Sequence, residues 1–162
     1  MKDDVYQPRS NDFSRSTKRA TNPSRVLREV ATTEPFREVL IIGVVGPCGA
    51  GKTTLVEGLK RRGYRARAIV QEHSYVPSMW QRITNPDILI FLDASYPVTC
   101  QRRKLDWTEA EYAEQQQRLA HAREHADFYV QTDDLSIEAV LERVIDFISK
   151  LKIMFRKGTA KR

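Results

Sequence analysis

Residues 39–59 read VLIIGVVGPCGAGKTTLVEGL, and this stretch limits the chain to few architectures. Its first seven positions are apolar or glycine without alternation, the pattern of a strand covered on both faces, as in a parallel sheet sandwiched between helices. A half-exposed antiparallel strand would alternate instead. The run breaks at a Pro-Gly loop, and apolar periodicity resumes after a lysine and two threonines, so a strand at residues 39–45 leads through a glycine turn into a helix.

The turn, GPCGAGKT, satisfies G-x-x-x-x-G-K-[ST] through Gly46, Gly51, Lys52 and Thr53. Glycines let the backbone curl until successive amides converge on phosphate oxygens, and the following helix adds its own unpaired N–H groups and positive dipole end. A polyphosphate is what such a loop holds. The cradle comprises Gly46, Pro47, Cys48, Gly49, Ala50, Gly51, Lys52, Thr53 and Thr54, with Thr54 a candidate for helix packing or capping. Lys52 reaches the β- and γ-phosphates as a mobile point charge, and the Thr53 hydroxyl completes the coordination of Mg2+.

Further along, strands alternate with helices, which argues for parallel order and a three-layer α/β sandwich with a mostly parallel sheet of four to five strands. RARAIVQEH predicts a second strand ending near Val70, NPDILIFLDAS a third over 88–92 with Asp93 at its carboxyl end, and ADFYVQTDD a fourth. Between the last two, Thr108 and Glu111 stand at capping-box spacing before a long Ala-, Glu- and Gln-rich helix. A final helix from about Ser136 places Ile137, Val140, Leu141, Val144, Ile148 and Leu151 on one stripe.

Ligands of open parallel sheets sit beyond the carboxyl ends of the strands, which puts Glu72 and Asp93 toward the loop. Asp93 reads as an acid that holds magnesium through water or as the cap of a helix beginning near Tyr96. Glu72 reads as the base for an attacking hydroxyl, as a metal-holding acid, or as an exposed strand-end residue without a task. His73 is adjacent and ambiguous.

With 162 residues and 41% hydrophobic content, the chain has the size of one ordinary domain. The net charge of +6 divides unevenly: residues 1–28 carry +4, residues 150–162 carry +6, and residues 29–149 sum to −4. Basic ends of this kind contact nucleic acid or merely solubilise, and the second reading is favoured. Residues 1–23 are polar and nearly free of aliphatic side chains, which predicts a disordered basic tail; residues 24–38 read as a short helix and linker, 39–151 as the domain, and 152–162 as a basic tail. No apolar run approaches the roughly 20 residues of a membrane span, and neither a secretory signal nor a disulfide framework is visible, so a reduced, cytoplasmic protein is expected.

PDILIFLDASYPVTCQRR resembles the strand and lid of thymidylate kinases and related nucleotide kinases. HADFYVQTDDLSIEAVLERVIDFI resembles the last strand and helix of those enzymes and of dephospho-coenzyme A kinase. With the phosphate loop, the resemblance to P-loop kinases spans about residues 39–149 and implies the P-loop NTPase fold, ATP and Mg2+ as cofactors, and transfer of the γ-phosphoryl group to a small-molecule acceptor. It implies that Arg102 and Arg103 are lid arginines that counter charge on the transferring group; on the residues alone they read equally as a solvated helix face. One departure stands out: only HSYVPSMWQRITNP separates Glu72 from Asp87, where such kinases carry a further strand and an acceptor-binding region. Tyr75, Trp80 and Arg82 are available there to meet a second substrate, with Trp80 also a candidate for the core. The alternative class is a nucleotide-dependent regulatory module whose basic ends grip nucleic acid or a partner. HAREH, with His121, Glu124 and His125, matches H-x-x-E-H, a zinc pattern, but no third ligand is marked. The N-K-x-D signature of guanine-specific GTPases is absent.

Overall fold

A computed structural model describes residues 40–104 and 106–159, with side chains to Met154. The expected tail over 1–23 and the helix and linker over 24–38 lie outside the described residues. Four strands form one sheet in the order β2-β1-β3-β4, every pair parallel: β1 (Ile41–Val45), β2 (Arg65–Ala68), β3 (Ile88–Asp93) and β4 (Phe128–Gln131). The helices are α1 (Lys52–Arg61), α2 (Met79–Ile83), α3 (Tyr96–Arg103), α4 (Glu109–Glu124) and α5 (Ile137–Thr159), and Gln71–His73 form a 3-10 turn after β2.

The strands without alternation are those covered on both faces. Ile42 and Val44 of β1 and Ile88, Ile90 and Leu92 of β3 face α1 and α5, meeting Leu55, Leu59, Val140, Val144 and Ile148. Val45, Leu89 and Phe91 face the other way, against Trp80 of α2 and Leu119 and Ala122 of α4. All six residues of β3 are buried. The three-layer α/β sandwich expected from the sequence is therefore the one formed, with four strands and no antiparallel member among the described residues. Full burial of each such aliphatic side chain contributes about 1.5–3 kcal/mol, which lets two thin cores hold one sheet between them.

Strand order places β1 and β3 side by side at the centre, so the turn after β1 and the carboxyl end of β3 share one edge of the sheet. β2 and β4 lie outside them. On β2 only Ala66 is buried, while Arg65 and Arg67 are exposed, charges that blunt a free strand edge.

Two details depart from expectation. Ile137, placed on the buried stripe of the last helix, is 61% exposed, because the stripe enters the core one turn later at Val140. The same helix runs to Thr159, across the boundary expected at residue 151. No described helix is long and apolar enough to cross a membrane.

Candidate phosphate site

Beyond the carboxyl ends of β1 and β2 lies a cleft of about 750 Å³, lined by Cys48 to Leu55, Glu72, His73, Arg102, Arg103 and the start of α5. Its floor is the turn from β1 to α1. Gly46 passes so close to β3 that a Cβ there would stand 2.0 Å from the Leu92 carbonyl oxygen. Gly51 opens α1 in the left-handed region at φ 96°, and no side chain caps the helix. No acidic residue stands in the first turn either. The first amides and the positive end of α1 thus face the cleft with no cap and no acid from their own turn, the arrangement that receives phosphate.

Lys52 is buried and folded back across the loop, donating to Gly46 O at 2.7 Å, Pro47 O at 3.1 Å and Glu72 Oε1 at 2.6 Å. Glu72 is 1% exposed, and its other oxygen, Oε2, has no hydrogen-bond partner. The reading of Glu72 as an exposed strand-end residue is corrected here: the 3-10 turn at Gln71–His73 turns the side chain inward onto Lys52. A second group stands beside it. Cys48 Sγ is 3.8 Å from Glu72 Oε1 and 3.5 Å from His73 Nε2, and His73 Nε2 is 3.8 Å from the same carboxylate oxygen. Burial, and then the Glu72 charge, push the Cys48 thiol above its ordinary pKa, against the pull of Lys52 and Arg103.

Helix α4 braces both walls. Gln115, 4% exposed, accepts from Cys48 N at 3.1 Å, and Arg118 donates to Glu72 O at 3.1 Å. Gln71, wholly buried, donates to Val76 O and Arg118 O and accepts from Trp80 N. Sequence reasoning missed Gln71, Gln115 and Arg118. Their one signal is polarity at positions that helix and strand packing would otherwise fill with apolar side chains.

Arg102 and Arg103 both line the cleft. Arg102 is tied down, its guanidinium donating to Thr132 Oγ1 at 2.9 Å, Thr132 O at 2.7 Å and Gly49 O at 3.3 Å. Arg103 stands beside the Cys48 thiol and packs its stem near Gly49. Thr53 is exposed in the cleft and Thr54 half-buried behind it.

Asp93 is not among the residues that line the cleft with Thr53. Its Oδ2 accepts from Arg123 at 2.8 Å and from the Tyr129 hydroxyl at 2.7 Å, and its Oδ1 accepts from Ala94 N at 3.0 Å. Nor does it cap α3, where Ser95 is the N-cap and Asp133 accepts from Ser95 N. Burial and the bond to Asp93 push the Tyr129 hydroxyl up to about 12, so it stays a donor.

Tyr75, Trp80 and Arg82 do not line the cleft. Trp80 is core at 1% exposed, and Tyr75 lies under Arg118 with its hydroxyl on Glu114. In the HAREH segment, His121 Nδ1 accepts from Trp80 Nε1 at 3.1 Å, and His125 Nδ1 lies 2.8 Å from His121 O. Burial, followed by the neighbouring His125, lowers the His121 pKa. Among the described residues, the group with metal-ligand spacing is Cys48, Glu72 and His73 instead.

No protein-family model matches the chain, and no curated protein matches it in sequence. Among solved structures, the shikimate kinase of Acinetobacter baumannii in complex with shikimate is similar at 16% identity, over 71% of this chain and 96% of that one, with a TM-score of 0.48.

Proposed function

We propose that this protein is a small kinase that binds Mg·ATP in the cleft and transfers the γ-phosphoryl group to a small hydroxyl- or phosphate-bearing acceptor. The observation that carries the reading is the uncapped, acid-free start of α1 with Lys52 and Glu72 paired 2.6 Å apart at its mouth. A buried lysine held by two carbonyls and one carboxylate is a cation kept in place for an anion that displaces its partners.

Loop amides and the α1 terminus receive the phosphates, and Lys52 turns from Glu72 to the β- and γ-oxygens. The cleft suits Mg2+ in its oxygen donors: the Thr53 hydroxyl, the orphaned Glu72 Oε2 and the Glu138 carboxylate. When bound, Mg2+ neutralises phosphate charge. Glu72, released from Lys52, accepts the acceptor proton as the acceptor oxygen bonds to Pγ and the bond from Pγ to the bridging oxygen breaks, leaving ADP. Arg103 offsets charge on the transferring group, while Arg102 holds the loop to Thr132. Such catalysis is mostly positioning and charge neutralisation.

The test is a product-detected screen of nucleosides, nucleotides, sugars and coenzyme precursors with Mg·ATP, run beside a no-acceptor control. ADP release that depends on one acceptor, and is lost in Lys52→Ala, supports the reading. Acceptor-independent hydrolysis at the same rate across the screen assigns the chain to the regulatory ATPase class instead.

A further inference from the structure

We propose that Cys48, Glu72 and His73 form a binding site for a thiophilic divalent cation of the zinc type at the mouth of the phosphate loop. The three donor atoms, Cys48 Sγ, Glu72 Oε1 and His73 Nε2, lie 3.5, 3.8 and 3.8 Å apart. Tetrahedral zinc with ordinary Zn–S, Zn–N and Zn–O bonds sets its ligands roughly 3.3–3.6 Å apart. A contraction of a few tenths of an ångström therefore closes the triangle around an ion. Thiolate, imidazole and carboxylate together are a donor set for zinc and not for magnesium, which takes oxygen.

A second observation points the same way. Glu72 is 1% exposed and carries an orphaned oxygen, Oε2, on the carboxylate that already supplies one corner of the triangle. Burying an unpartnered carboxylate oxygen is costly, and a cation beside it removes the cost. Lys52 donates to the same Oε1 that stands at the corner of the triangle, so a turn of the carboxylate that gives the ion one oxygen leaves the other for the ammonium. His73, with its side chain 57% exposed, gives the ion a route from solvent.

Binding takes one proton from the Cys48 thiol to solvent as the sulfur–metal bond forms. The divalent ion and Lys52 then face one thiolate and one carboxylate, leaving a net positive charge. Three protein ligands leave a fourth position, which that charge suits to an anionic oxygen: hydroxide or a phosphate oxygen from the cleft. An ion held there engages the carboxylate assigned above to Mg2+ and to the acceptor proton, so the two ions are alternatives at Glu72, yet the site rests on three side chains and not on the kinase reading.

The test uses the full reduced chain without nucleotide, titrated with Co2+ as a coloured stand-in and then with Zn2+. The expected result is a sulfur-to-cobalt charge-transfer band that saturates at one ion per chain, is displaced by Zn2+, survives Cys100→Ser and is abolished by Cys48→Ala. His73→Ala, at an exposed position that threatens no core, weakens binding at least ~10-fold, since even residues behind a metal's direct ligands carry that much. No band in chain that circular dichroism shows to be folded overturns the proposal. So does a band that persists in Cys48→Ala, or one that keeps its affinity in His73→Ala. Loss of kinase activity plays no part in the readout, so failure here and failure of the kinase reading are told apart.

Discussion

Lys52 and Glu72, twenty residues apart in sequence, meet at 2.6 Å with both side chains buried. The pair joins the start of α1 to the turn after β2, and both residues line the cleft. Removing one partner of a buried pair typically costs about 3–5 kcal/mol, because the other is left as an uncompensated charge. Lys52→Ala is thus expected to lose about 3 kcal/mol of stability as well as nucleotide binding. The double change Lys52→Met with Glu72→Gln is expected to recover most of the stability and none of the binding. Urea unfolding beside calorimetry separates the two effects, and a double variant no more stable than the single one refutes the pairing argument.

Gly46 and Gly51 both carry positive φ but stand in different surroundings, so their substitutions differ in kind. A Cβ at Gly46 meets the Leu92 carbonyl at 2.0 Å, next to the carboxyl end of a fully buried strand that cannot move without breaking its ladders. A Cβ at Gly51 meets nothing within 4 Å and carries only the left-handed penalty. Gly46→Ala is expected to cost about 3 kcal/mol or more, as overpacking against rigid backbone does, and Gly51→Ala about 1–2 kcal/mol. Thermal midpoints in the opposite order would show that β3 yields where the packing says it cannot.

The same contrast marks what the sequence discloses. The phosphate loop, the continuous apolar runs of β1 and β3, and the Thr108–Glu111 box are local patterns, and each forms where residue spacing puts it. Glu72 and Asp93 look alike in sequence, each an acid after an apolar run, and their fates are set by elements far along the chain. Arg118 and Gln71 draw the turn inward and carry Glu72 to Lys52, whereas Arg123 and Tyr129 claim Asp93. Neither outcome is visible until α4 is seated on the sheet. Ile137 fails for a smaller reason: periodicity identifies a stripe but not the turn at which the stripe enters the core.

Adjacent arginines should separate cleanly. Arg102 spends its guanidinium on Thr132 and on Gly49 O, so Arg102→Ala loosens the loop and the end of β4 together, with an expected loss of about 1–3 kcal/mol. Arg103 stands over the cleft beside Cys48, so Arg103→Ala is expected to leave the thermal midpoint within about 2 °C and to lower phosphoryl transfer by about 100-fold or more. Melting curves beside single-turnover rates decide it. Equal midpoint losses in both variants would place Arg103 in the structural network with its neighbour.

Helix α4 carries Gln115 and Arg118 to the backbone of Cys48 and Glu72, which line the cleft, so the integrity of its first turn bears on the site. Thr108 Oγ1 accepts from Glu111 N at 3.3 Å, and Glu111 Oε2 accepts in return from Thr108 N at 2.8 Å. The bond from the Thr108 amide, then that from its hydroxyl, hold the Glu111 carboxyl below its ordinary range. A depressed folded pKa means stability that is fully present above the unfolded value, about 4.3, and lost as pH falls through the folded one. The midpoint gap between wild type and Glu111→Ala should therefore be constant above about pH 5 and narrow below about pH 4. Thr108→Ala, which removes the other half of the box, is expected to cost about 1 kcal/mol at neutral pH. Glu111→Gln can still accept from the Thr108 amide, so it should fall between wild type and Glu111→Ala at neutral pH and lose the acid dependence entirely. A gap that widens on acidification, or one that Glu111→Gln leaves equally pH-dependent, would mean that another carboxylate governs the acid response of this helix.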